Sequence, residues 1–144
     1  MDEIHVPAAG PPQGPPPDPA IWAALGQSGF EAMLMDVYRG LGASPIRHMF
    51  PPDEAGLMAA ARKNALFFVQ ACGGPPLFSQ QVGPPRMRAR HLPFAIDEAA
   101  RRAWLDCWEP VLAQAPAKYG FPPQHLEGFR RFLDGFSAWM VNRA

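Results

Sequence analysis

The run Arg86-Met87-Arg88-Ala89-Arg90-His91-Leu92-Pro93-Phe94 holds the residue types best suited to chemistry in this chain. A histidine just ahead of a Leu-Pro-Phe turn keeps one ring nitrogen free to enter a pocket, and imidazole is the commonest protein ligand for haem iron. Taken alone, a histidine is more often an ordinary surface or core residue. His91 differs in its setting, with three arginines before it and Trp104 in the next helix-like run. His5 falls in a proline-rich segment, and His48 and His125 occupy turn or helix-start settings, which suit solvated side chains. No spacing of His, Cys, Asp or Glu has the pattern of a zinc site.

A scaffold must hold these residues. The chain has 144 residues, enough for one domain with a core able to enclose a flat cofactor. Its 13 basic side chains balance 13 acidic ones, so the overall field gives no reason to expect nucleic acid or an anionic membrane surface as partner. No apolar run approaches the roughly 20 residues of a membrane span, and Met1-Asp2-Glu3 is acidic where a secretion signal would be basic. Cys72 and Cys107 lie in helix-like apolar runs and form no CxxC pair, as reduced, packed thiols do. A cytoplasmic protein is expected.

Residues 1–20 read as a proline-rich flexible arm and 21–144 as the folded domain. Pro11-Pro12 and Pro15-Pro16-Pro17 fix φ and remove amide donors, which gives a solvated tail or a docking segment for another protein. Beyond Pro19 the pattern is helical. Ile21 to Leu25 forms a short helix stopped by Gly26, and Phe30, Met33, Leu34, Val37, Tyr38 and Leu41 recur at helical spacing. A single turn ends near Phe50. Asp53 caps a helix through Leu57, Ala61, Ala65, Phe68 and Cys72, which Gly73-Gly74-Pro75-Pro76 terminates. Leu77 to Pro85 reads mostly as loop. After a short helix carrying His91, Asp97 caps a helix through Trp104, Trp108 and Leu112, with a kink expected at Pro110; a last helix runs from about Pro123 to Met140. No alternating run suggests a strand. The class is all-α, with about six helices.

The sequence Gly73-Gly74-Pro75, then Gly83, then Arg86 to Ile96 and Ala103-Trp104-Leu105 closely resembles the truncated haemoglobins, in particular their second group. The likeness extends from about Gly29 to the C-terminus. It implies a truncated globin fold, two helices crossed over two, around one b-type haem. It also implies that His91 is the metal ligand, with Phe94 and Ile96 packed beside it and Phe50, Phe67 and Phe68 against the haem edge. Arg90, with Arg86 or Arg88, would hold the haem propionates, unless these arginines form a solvated basic face. Arg62 and Lys63 approach the same carboxylates more weakly. Phe50 and Phe78 stand where relatives often carry tyrosine, and Val82 replaces a polar residue.

On the opposite face the resemblance implies a distal pocket of Tyr38, Ala60, Asn64 and Trp104. Bound dioxygen carries negative charge, so donors about 3 Å away slow its loss. Tyr38 matches the family's pocket tyrosine and Trp104 the tryptophan typical of the group; Trp108 fits a core role. Asn64 is a lone amide on the otherwise apolar stripe Leu57, Ala60, Ala61, Phe67 and Phe68, facing either the ligand and Tyr38 or solvent. Ala60 leaves the usual distal histidine site without a ligand, which favours a five-coordinate iron. Two functions follow: binding or transport of dioxygen, and of other diatomic ligands such as carbon monoxide, or a redox enzyme acting on nitric oxide or peroxide. The enzyme needs an external reductase, since the chain has no flavin or nicotinamide motif. A haem-free, globin-like interaction domain using the proline arm is the third reading.

Overall fold

The computed structural model describes residues 3–144; Met1 and Asp2, at the start of the expected arm and of its acidic run, lie outside the described residues. Residues 3–17 form turns and extended backbone. Asp18 ends that segment by accepting the Ala20 amide at 2.8 Å, and Pro19 takes a first-turn position where its missing N–H removes nothing. Helix α1 spans Pro19–Gly42. Gly26, at φ 63° and ψ −178°, is non-helical and breaks it into two helical stretches, where the sequence placed the stop of the first. The bend separates the helix read from Ile21 to Leu25 from the one that carries Phe30 to Leu41.

A 3-10 turn at Arg47–Met49 leads to α2, Glu54–Ala71. Asp53 caps it as expected, accepting the Gly56 amide at 3.0 Å. Gly74 closes the turn after α2 where a Cβ would meet Val69 and Trp22 at 2.8 Å, so any larger residue would force these apart. The stretch read as loop contains a further short helix, α3, Leu77–Gln81. Its stability is tertiary. Phe78 is buried, and Gln70 both donates to the Ser79 hydroxyl at 2.8 Å and accepts the Ser79 amide at 3.0 Å.

The histidine-bearing helix α4 is Met87–His91. Helix α5 spans Glu98–Tyr119, starts at the Asp97 cap, and runs on through Pro110 and Pro116 to Gly120. The 3-10 turn Pro123–His125 enters α6, Leu126–Met140. The described residues thus form six α-helices and no strand. Helix α1 packs on α2 and α5, α5 on α6, and α4 on α6, so the α1/α2 pair lies over the α5/α6 pair. Phe30, Trp108, Leu112, Phe129 and Leu133 fill the space between them. Cys72 and Cys107 are free thiols, and burial pushes the Cys72 thiol up to about 12, keeping it protonated. No described helix is long and apolar enough to cross a membrane.

Candidate functional site

A cavity of about 320 Å³ lies within this helical frame. It collects Tyr38, Phe50, Ala60, Asn64, Phe67, Phe68, Arg90, His91, Phe94, Ile96 and Trp104 from segments far apart in the chain. Three long helices supply the polar wall: Tyr38 from α1, Asn64 from α2 and Trp104 from α5. The spacing Ala60, Asn64, Phe67, Phe68 places all four on one face of α2, and Leu57 and Ala61 of the same stripe enter the core instead.

Asn64 points inward. Its amide N–H donates to the Tyr38 hydroxyl oxygen. Because that oxygen accepts from Asn64, the Tyr38 O–H remains a donor. Burial pushes the phenol's pKa up, well beyond its ordinary value, so it stays protonated at neutral pH. Phe50 packs edge-on against the Tyr38 ring with centroids 5.5 Å apart. Two residues before Tyr38, Asp36 anchors α1 to α5 through the Tyr119 hydroxyl and the Lys118 ammonium, the latter at 2.7 Å. Burial alone would raise the Asp36 pKa, and these partners outweigh it and lower it.

His91 occupies another part of the wall. Its Nδ1 lies 2.6 Å from the Met87 carbonyl oxygen, which can only accept, so Nδ1 carries the proton and Nε2 keeps its lone pair. Burial lowers the ring's pKa against the opposing pull of that hydrogen bond. The result is a neutral imidazole with one free ligating nitrogen. Phe94 lies 6.5 Å from it, centroid to centroid, and is partly exposed.

The arginines separate. Arg90 lines the cavity, donates to the carbonyls of Pro84 and Pro85 at 2.8 Å, and lies over the Phe78 ring. Arg86 is exposed and outside the lining, and it begins α4 in the left-handed conformation (φ 37°). Arg88 turns to α6 and the arm. Lys63 lines the cavity and Arg62 does not.

Several lining residues escaped the motif reading. Trp108, read as core, is buried and also borders the cavity, and its indole N–H has no partner among the described residues. Arg101 borders it too, its charge matched by Glu98 at 2.7 Å and Asp134 at 2.5 Å. Asn142 lies behind the wall and holds the loop after His91. An amide directly after the apolar run Trp139-Met140-Val141 was the available signal.

The family model for bacterial-like globins matches residues 20–141. A group 2 truncated hemoglobin of Bacillus subtilis is 35% identical over 94 residues, 65% of this chain and 69% of its own length. This chain belongs to the bacterial-like globins, as a truncated haemoglobin of the group II kind. Among solved structures, phosphate-bound Hell's gate globin IV superposes with a TM-score of 0.83 at 33% identity, covering 92% of this chain and 80% of that one. The truncated oxygen-avid haemoglobin from Bacillus subtilis does so with a TM-score of 0.75 at 31% identity, covering 87% and 99%. The all-helical globin fold is therefore shared, and the family implies haem-based ligand binding, dioxygen included.

The lining of this globin suits that group. Its walls are mostly apolar and aromatic, one imidazole nitrogen is free, and Lys63 and Arg90 provide cations for acid groups. The unpartnered Trp108 N–H leaves an unmet donor in the same wall.

Proposed function

We propose that this globin holds one haem b through His91 and reversibly binds dioxygen and other diatomic ligands at a five-coordinate iron, in the cytoplasm. The observation that carries the reading is the pairing of a neutral imidazole, its Nδ1 tied to Met87, with the hydrogen-bonded Tyr38 and Asn64 in one apolar cavity. Haem iron supplies reversible coordination of a diatomic molecule. The chain supplies everything else. His91 offers Nε2, while its Nδ1–H to Met87 fixes the ring's tautomer and makes Nε2 more basic. Phe67, Phe68 and Ile96 would exclude water, the exposed Phe94 adding less, and Arg90 with Lys63 would pair with the propionates; the exposed Arg86 is the weaker candidate.

The Tyr38 O–H, oriented by Asn64, would donate a hydrogen bond to a bound diatomic ligand, and the Trp104 indole would offer a second donor. Ala60 provides no competing ligand. Donors of this kind slow dissociation, which fits storage or sensing better than bulk transport. The folded unit begins with α1 at Pro19, two residues ahead of the boundary at 21 read from the sequence, and the residues before it form an appended arm.

A second reading is oxidation of nitric oxide to nitrate by dioxygen, or peroxidase turnover. Its support is the aromatic contact chain from Trp104 through Trp108 to Phe129, with centroids 5.8 and 5.7 Å apart, and it takes one electron per nitric oxide from an external reductase. The absorption spectrum of the purified protein, before and after adding haem, tests the main reading. A Soret band and a pyridine haemochrome of the b type are expected; a colourless protein that takes up no haem overturns it. Repeated consumption of nitric oxide with a supplied reductant distinguishes the enzyme from the carrier.

A further inference from the structure

We propose that Asn142 is a positioning residue for His91, and that the N-terminal arm completes its hold. The inference rests on the haem-binding reading above. Helix α4 has five residues, and Arg86 begins it without any side-chain cap. A helix so short has little stability of its own, so the direction of His91 must come from tertiary contacts.

Asn142 supplies them. It is fully buried, two residues beyond the end of α6. Its side-chain Oδ1 accepts the Ile96 amide at 2.9 Å. Its Nδ2 donates to the Phe94 carbonyl at 2.9 Å and to the carbonyl of His91 itself at 3.3 Å. Its backbone amide donates to the Ile96 carbonyl at 2.9 Å, and the Arg143 amide does so at 3.0 Å. One side chain thus satisfies three backbone groups of the turn, the Ile96 N–H and the His91 and Phe94 carbonyls.

The arm adds a second layer. The His5 amide donates to the Asn142 carbonyl at 2.9 Å. Arg88, three residues before His91 on α4, donates to the His5 and Val141 carbonyls, each at 2.8 Å, and to that of Trp139. Its guanidinium lies 4.5 Å over the Trp139 ring. Arm, C-terminal tail and α4 therefore share one hydrogen-bonded knot on the outer side of the histidine.

The test compares wild type, Asn142→Ala, Leu112→Ala and a chain lacking residues 1–6. The readouts are the rate of haem transfer to excess apomyoglobin and the iron–histidine stretching band in ferrous resonance Raman spectra. Asn142→Ala should lose haem about 10- to 100-fold faster and show a shifted, broadened band, the size of effect known for groups that orient a metal's ligand. Shortening the arm should move both readouts the same way, by less. Leu112→Ala, a core truncation away from this turn, should lower Tm and leave the band in place. If Asn142→Ala does not fold, Arg88→Met carries the same readouts. An unmoved band in a haem-loaded Asn142 or Arg88 variant overturns the positioning role, and a shortened chain indistinguishable from wild type overturns the arm's part. A wild type that takes up no haem overturns the parent reading, and this one with it.

Discussion

The two sides of the cavity are built by different means. On one, Tyr38 projects from the stretch of α1 beyond Gly26, and Asn64 and Trp104 from helices of 18 and 22 residues, and each keeps its direction because a long packed helix cannot rotate alone. On the other, His91 sits at the end of a five-residue helix that contacts α6, and its carbonyl is held by the side chain of Asn142, 51 positions away. Rigid helices fix donors to within a bond's reach through core packing. A short helix leaves its ligand's aim to a few buried polar contacts, where single atoms matter more.

The largest predicted effect breaks the histidine side. His91→Ala removes the one free imidazole nitrogen in the cavity, and haem should no longer be retained through gel filtration; a variant that keeps a normal ferrous spectrum would dismiss His91 as the ligand. Next comes Tyr38→Phe. A hydrogen bond to a charged acceptor contributes about 1.5–3 kcal/mol, so stopped-flow oxygen dissociation should accelerate by about 10- to 100-fold. An unchanged rate would shift the donor role to Trp104 alone.

Asn64→Leu sharpens the comparison further. It leaves the Tyr38 hydroxyl in place and removes the group that orients it, a neutral bond of about 0.5–1.5 kcal/mol, so the same rate should rise several-fold and less than in Tyr38→Phe. Equal effects would mean that the two side chains act as one unit. The smallest change is Asp53→Ala. Loss of this cap should lower unfolding stability by about 1 kcal/mol in denaturant titration while ligand kinetics stay within error, because α2 is held by its packed face. A marked change in kinetics would show that the α2 end governs Asn64.

The motif around His91 and the apolar stripes were legible because both are local. Periodicity of 3.6 residues assigned α1, α2, α5 and α6, and the caps at Asp53 and Asp97 are single-residue signals with a direct hydrogen-bonding cause. Helix α3 was not legible, since its stability comes from Gln70 and from burial of Phe78. The arginines were legible as a cluster, not as individuals. Their neighbours in space, the Pro84 and Pro85 carbonyls for Arg90 and the α6 end for Arg88, decide which one reaches the cavity.

By itself, then, the sequence determined the helical class, the family, the histidine and the stripe carrying Asn64, since each depends on residue type and spacing along a few turns. The tertiary structure decided that Asn64 meets Tyr38, that Trp108 borders the cavity with an unmet N–H, and that Asn142 holds the turn after His91. Those are contacts between distant segments, and their partners are chosen by how packed helices bring buried polar groups within reach of one another.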